Sequence, residues 1–202
     1  MTVYKNIKKA LEDIDNASVL MLKLKKDECL PKDLAKLENL QQLYIQGDNL
    51  LDVTISGLPK LQQLTIQAPK LELISSEIFY LPQMEILKIN NCALSELPKL
   101  NENNVVLRSL SINNNKLESL PSDIIHLKNL NTLLLTNNNL TSLPQELSQL
   151  LSLNRLNLDR NNLTTIPTWL PHMKQLKHLS LDGNPFSEEE KQRIMKLLPI
   201  WF

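Results

Sequence analysis

Glycine is scarce in this chain of 202 residues, with 3 in all, and none forms the glycine-rich loop that cradles a phosphate. Aromatic residues are equally sparse: two Trp, three Tyr and three Phe. The two cysteines, Cys29 and Cys92, are too few for the disulfide framework of a small secreted domain. No charge excess exists either, because 22 Lys and Arg balance 22 Asp and Glu. Dedicated nucleic-acid and anionic-membrane binders carry a basic surplus, so neither class is expected. No apolar run reaches the ~18 residues of a membrane helix, so membrane insertion is not expected. The opening residues, from Met1 to Asn6, lack the apolar core of a secretion signal. A cytoplasmic location is therefore expected, or a secreted one if a leader has been removed.

What the chain has is a period. Leu107-x-x-Leu110-x-Ile112-x-x-Asn115-x-Leu117 returns after 23 residues as Leu130, Leu133, Leu135, Asn138 and Leu140. It returns again after 23 as Leu153, Leu156, Leu158, Asn161 and Leu163. Upstream, Met84, Leu87, Ile89, Cys92 and Leu94 fill the same slots. Before them come Leu61, Leu64, Ile66, Pro69 and Leu71, then Leu40, Leu43, Ile45, Asp48 and Leu50. The step from Leu40 to Leu61 is 21 residues, so one coil is short. Val19, Leu22, Leu24 and Asp27 read as a degenerate first coil, with a register open by two residues. Leu176, Leu179, Leu181, Asn184 and Phe186 make a truncated last one, the eighth.

Each coil has a physical logic. Alternating apolar residues such as Leu133 and Leu135 make a strand with one buried face. Every coil returns to its start, so the strands run parallel. The Asn slot ends the strand, where a side-chain amide can pair buried backbone groups; stacked coils then build a ladder. Asp48, Pro69 and Cys92 interrupt that series, and Pro69 is expected to be its weakest point. Leu120-Pro121 and Leu143-Pro144 open the return segments. Proline lacks an N–H and holds φ, which suits a tight extended or 3₁₀ return.

Open coils at either end need lids. Val3, Ile7, Ala10, Leu11 and Ile14 fall at helical spacing, predicting a first lid over 3–16. Ser187 to Glu190 matches a capping box, and Ile194, Leu197 and Leu198 form the stripe of a second lid over 187–198. The tail Pro199-Ile200-Trp201-Phe202 is very apolar. It either folds back over the last coil or touches a partner.

These residues resemble the leucine-rich repeats of the 23-residue Leu-Pro type, found in intracellular Ras-group proteins of eukaryotes and in many bacterial proteins. The opening Tyr4 to Leu11 followed by Val19 to Leu24 is similar to short bacterial members, such as those of spirochaetes and Bacteroidetes. The resemblance implies an α/β fold: a right-handed solenoid or horseshoe with a parallel sheet on the concave face and 3₁₀ or extended returns on the convex one. It implies a single domain over 1–202, with an N-terminal capping helix in 1–18, about eight repeats in 19–186, and a C-terminal capping helix and tail in 187–202. It also implies binding of a protein partner through the concave sheet, with no shared catalytic residues. The rival reading is a structural or assembly protein that uses lateral surfaces or the apolar tail.

The strand register sorts residues into outward columns. Tyr44, Lys88 and Leu134 fall in the middle column, Ile86, Arg155 and His178 in one neighbour, and Asp159 and Asp182 in the other. Most of the surface is small and uncharged. Charge gathers near the C-terminal end, at Arg155, Asp159, Arg160, Lys177, His178 and Asp182. This mixed cluster is read either as the anchor of a protein partner or as a solvated face. Tyr44, Ile86 and Leu134 are outward apolar anchors on the same reading, although single exposed apolar residues are common. Asp159 and Asp182 fall short of the roughly 6–8 oxygens a Ca²⁺ ion takes. His126 and His172 share a return-side slot two coils apart, roughly 10 Å, too far to share one Zn²⁺. No His falls beside a Cys in this register, which disfavours a nucleophile pair. Cys29 and Cys92 lie about three coils apart, roughly 14 Å, beyond the ~7 Å reach of a disulfide, so two free thiols are expected. The expectation is a non-catalytic binding module without cofactor or metal, monomeric, with weak self-association open to the tail.

Overall fold

The computed structural model describes residues 2–25, 29–101 and 106–198. The described strands are β1 (Val3–Tyr4), β2 (Val19–Leu24), β3 (Gln42–Gly47), β4 (Asp52–Val53), β5 (Gln63–Gln67), β6 (Leu73–Ile74), β7 (Ile86–Ile89), β8 (Ser109–Ser111), β9 (Thr132–Leu134), β10 (Arg155–Asn157) and β11 (His178–Ser180). Helices α1 (Ile7–Glu12) and α2 (Glu188–Leu197) stand near the ends. Nine strands form one all-parallel sheet in the order β1-β2-β3-β5-β7-β8-β9-β10-β11. Strands β4 and β6 pair separately in the second part of their coils. This is the solenoid the repeat implies. Its core is a stack of repeat leucines, with Leu110, Leu133 and Leu153 fully buried. Each such side chain contributes about 1.5–3 kcal/mol by leaving water.

The returns take the tight form that the Leu-Pro pairs require. Short 3₁₀ helices span Lys32–Lys36, Ser76–Tyr80, Ser122–His126, Gln145–Gln149 and Leu170–His172. Pro31, Pro121 and Pro144 precede three of them, with φ between −63° and −70°. The 21-residue coil stays extended instead, through β4. Its Gly57 holds φ at +73°, and a Cβ there would come 3.0 Å from the Ala35 Cβ.

Several sequence expectations need correction. In the first coil Leu20 pairs with Leu43 and Leu22 with Ile45, so the register is Ala17, Leu20, Leu22 rather than Val19, Leu22, Leu24. Val19-Leu20-Met21-Leu22 is continuously apolar and carries no phase of its own. Asp27, assigned to that coil, lies outside the described residues. The first lid is also shorter than 3–16. Residues Val3 and Tyr4 pair with Val19 and Leu20 as an edge strand, and the helix covers only Ile7–Glu12. Asn6 caps it by accepting the Lys8 N–H at 2.8 Å. Ala10 is buried, but Val3 and Ile14 are exposed, so no five-residue apolar stripe forms. The second lid matches better: Ser187 Oγ accepts the Glu190 N–H at 3.1 Å. Ile194 and Leu198 are buried while Leu197 is exposed. The apolar tail, 199–202, lies outside the described residues.

The ladder begins later than the repeat suggests. Asp48 and Pro69 are exposed, and Gly47 and Ala68 take the buried position instead. The cause is the turn. From β7 onward a residue in the left-handed region, at Asn91, Asn114, Asn137, Arg160 and Gly183, bends the chain and drops the next side chain inward. Gly47 and Ala68 do not adopt that conformation. Strands β2, β3 and β5 therefore run on for five or six residues, against three in β8 to β11. Cys92 is the first inward side chain, and its Sγ accepts the Ala68 N–H at 3.4 Å. Asn115, Asn138, Asn161 and Asn184 follow, each donating to a carbonyl of the preceding coil at 2.8–2.9 Å.

Candidate functional site: the concave face of the sheet

Pairing sets the outward side chains in columns. The middle one carries Met21, Tyr44, Thr65, Lys88, Ser111, Leu134, Asn157 and Ser180. On one side run Gln63, Ile86, Ser109, Thr132, Arg155 and His178. Asp159 and Asp182 follow the strands β10 and β11. Arg160 and Lys177 are exposed outside these columns, at the left-handed turn and just before β11 respectively.

The structure divides the predicted residues between two regions. Leu134, Arg155 and His178 share a shallow concavity of about 310 Å³ with Asn157 and Ser180. Tyr44 lies five strands away from β10, roughly 24 Å at the usual strand spacing. It lines a second concavity of about 450 Å³ with Lys5, Met21, Lys23, Thr65 and Gln67. Ile86 and Lys88 sit between the two regions, half-buried. Sequence reasoning missed Lys5, Met21 and Lys23. The outward columns were read only from the second coil onward, because the register of the first was open, and the edge strand β1 carries no repeat signal.

The Asp159 carboxylate has an internal role. Asp159 Oδ1 accepts the Ser180 hydroxyl at 2.6 Å and the Asp182 N–H at 2.8 Å, and Oδ2 accepts Asn157 Nδ2 at 3.0 Å. Asn90 and Asn113 make the equivalent bonds one coil at a time, accepting the N–H of Asn113 and of Thr136 at 2.8 Å. Asp159 therefore belongs to a second ladder along the sheet margin. Asn91, Asn114 and Asn137 build a third, through side-chain amides 2.8–2.9 Å apart. Cys92 is buried, and burial pushes its thiol pKa up, which disfavours the nucleophilic thiolate. Cys29 is exposed, and both thiols are free. Among the described residues no three His, Cys, Asp or Glu side chains gather as metal ligands. Among them, too, no helix is long and apolar enough to cross a membrane.

A family profile described as a leucine-rich repeat region matches residues 75–198. The chain belongs to the leucine-rich-repeat family. The matched stretch includes every coil with the left-handed turn, so the family signal and the ladder coincide. A solved leucine-rich-repeat protein of Leptospira interrogans superposes with a TM-score of 0.81 at 35% identity, covering 93% of this chain and 48% of its own. An internalin of Listeria monocytogenes superposes with a TM-score of 0.69 at 20% identity, covering 91% of this chain and 53% of its own, and that likeness shows the fold alone. The chain spans about half the length of these two proteins. No curated protein matches it. Leucine-rich repeats commonly serve as protein-interaction modules and are generally non-catalytic.

Proposed function

We propose that this chain is a non-catalytic protein-binding module that receives its partner on the concave face. The observation that carries the reading is the outward surface of the sheet. Two concavities there expose Met21 and Tyr44 at one end and Leu134 and Arg155 at the other. The frame beneath them is held by the parallel pairing of the strands, joined from β7 onward by three series of cross-coil hydrogen bonds. A surface ordered in advance loses little conformational freedom on binding. Arg and Tyr are also enriched among residues that dominate interface energies. Arg155, Arg160, Lys177, His178 and Asp182 then rim the C-terminal contact, and Ile86 and Lys88 bridge the two regions. The rival reading, assembly through a lateral surface, draws on Leu51 and Leu73, each 59% exposed. Isolated exposed leucines are ordinary, so the concave face is preferred.

Affinity capture from the native cells, read by mass spectrometry, tests this. The baits are the wild type, a concave variant with Tyr44→Ser and Arg155→Ser, and a convex control with Lys128→Ser and Glu146→Ser. A protein held by wild type and control but lost from the concave variant supports the reading. Identical captures on all three baits would sink it.

A further inference from the structure

The charge balance of the whole chain hides a local imbalance on the concave face. Across the first four coils the three outward columns hold no carboxylate. They hold Lys23 and Lys88 beside Met21, Tyr44 and four glutamines. A third lysine, Lys5, follows the edge strand β1. Continuing its register sets Lys5 beside Met21, and both line the larger concavity. None of the three lysines has an ion-pair partner among the described residues. At the far end of the sheet, by contrast, Asp159 and Asp182 offset Arg155.

Between the lysines the floor is apolar. Met21 is 43% exposed on the open surface. The Tyr44 ring lies over the strands, with its hydroxyl held by Gln63 Nε2 at 3.2 Å. Lys5 and Lys88 bracket this floor across five strands, about 19 Å at the usual strand spacing. An extended peptide of about six residues spans that distance.

We propose that the N-terminal half of the concave face binds an extended acidic peptide with one apolar anchor residue. The anchor covers Met21 and Tyr44, and its flanking carboxylates meet Lys5, Lys23 and Lys88. This rests on the reading of the concave face as the binding surface and names the partner's chemistry there. A peptide fits better than a sulfated sugar or a nucleic acid for two reasons. The apolar floor is satisfied only by an apolar side chain. The amides of Gln46 and Gln67, exposed beside it, match the donors and acceptors of a peptide backbone.

Panning a phage-displayed library of random heptapeptides on the full chain tests the proposal. The selected peptides are expected to carry Asp or Glu on both sides of one apolar residue. As synthetic peptides they should bind about tenfold more weakly to Lys23→Glu with Lys88→Glu, and more weakly again as salt rises. Lys23→Gln with Lys88→Gln should shift affinity in the same direction by less. Circular dichroism checks that each variant is folded. Tyr44→Ser should also weaken binding, while Arg155→Glu should not. Selected peptides without acidic enrichment, or binding indifferent to the lysine variants, would overturn the proposal. If such peptides still lose affinity with Tyr44→Ser or Arg155→Ser, the broader reading of the concave face survives; if no concave change matters, both fail. An empty selection overturns the proposal, as does lysine-dependent binding of a heparin-derived oligosaccharide in place of any peptide.

Discussion

The side-chain amide of Asn138 donates to the Ile112 carbonyl of the preceding coil at 2.8 Å. Its Oδ1 accepts the Leu117 N–H of that coil at 3.1 Å. One buried amide thus pairs two buried backbone groups of the preceding coil. Asn138→Ala should cost about 1–3 kcal/mol in urea unfolding, because both groups lose their partners. Asn139→Ala, one residue on and exposed, should stay within about 0.5 kcal/mol of wild type. Equal losses at the two positions would contradict the ladder.

The same strand separates inside from outside. Leu135 is fully buried, whereas Leu134 is half-buried on the concave face. Leu135→Ala should cost about 2–5 kcal/mol as a core cavity. Leu134→Ala should cost under half of that and leave the unfolding slope unchanged. Equally damaging changes would mean that the register is off by one.

The C-terminal lid is locked by a charge. Glu190 Oε1 accepts Arg193 Nη2–H at 2.6 Å and the Ile166 N–H at 2.8 Å. The Arg193 hydrogen bond, aided by the Ile166 N–H, holds the Glu190 pKa near 2, below its ordinary 4.5. A carboxylate depressed in the folded state stabilises above its unfolded pKa. That stabilisation is complete near neutral pH and fades as pH falls from about 4.5 towards 2. Hydrogen exchange across α2 should therefore quicken in that window relative to β9, once corrected for intrinsic rates. Arg193→Ala should cost about 1–2 kcal/mol at pH 7 and flatten the acid dependence. A lid with unchanged acid sensitivity in that variant would exclude this lock.

Arg160 occupies the left-handed turn, with φ at 53°, where the three preceding coils use Asn. A long side chain there is strained, and Asn tolerates the conformation better. Arg160→Asn should stabilise by about 0.5–1 kcal/mol, read as a higher melting temperature. Gly183, the next residue in that series, has φ at +72°, and a Cβ would lie 3.1 Å from Arg160 Cγ. Gly183→Ala should therefore destabilise, by about 1–2 kcal/mol.

Legibility followed the regularity of the repeat. Between Leu107 and Leu163 the period placed core, ladder and outward columns correctly, because alternating Leu and a fixed Asn carry phase. It failed at Val19 to Leu22, where four apolar residues in succession carry none. It failed again at Asp48 and Pro69, because spacing alone does not report whether the backbone turns left-handed at Gly47 and Ala68. Of the candidate surface, Leu134, Arg155 and His178 were found and do lie together. Lys5 was not, since it reaches the sheet through a two-residue strand that resembles the start of a helix.

Composition and period by themselves determined the solenoid, the parallel sheet and the identity of most core positions, because periodic burial is a local property that each coil repeats. Tertiary structure alone decided where the ladder starts, how far each strand runs and which outward residues meet. Those outcomes depend on hydrogen bonds between residues 21–26 apart, such as Asn138 with Leu117 and Ile112, and Cys92 with Ala68 and Ile66. Only stacking of one coil on the next brings these partners within reach.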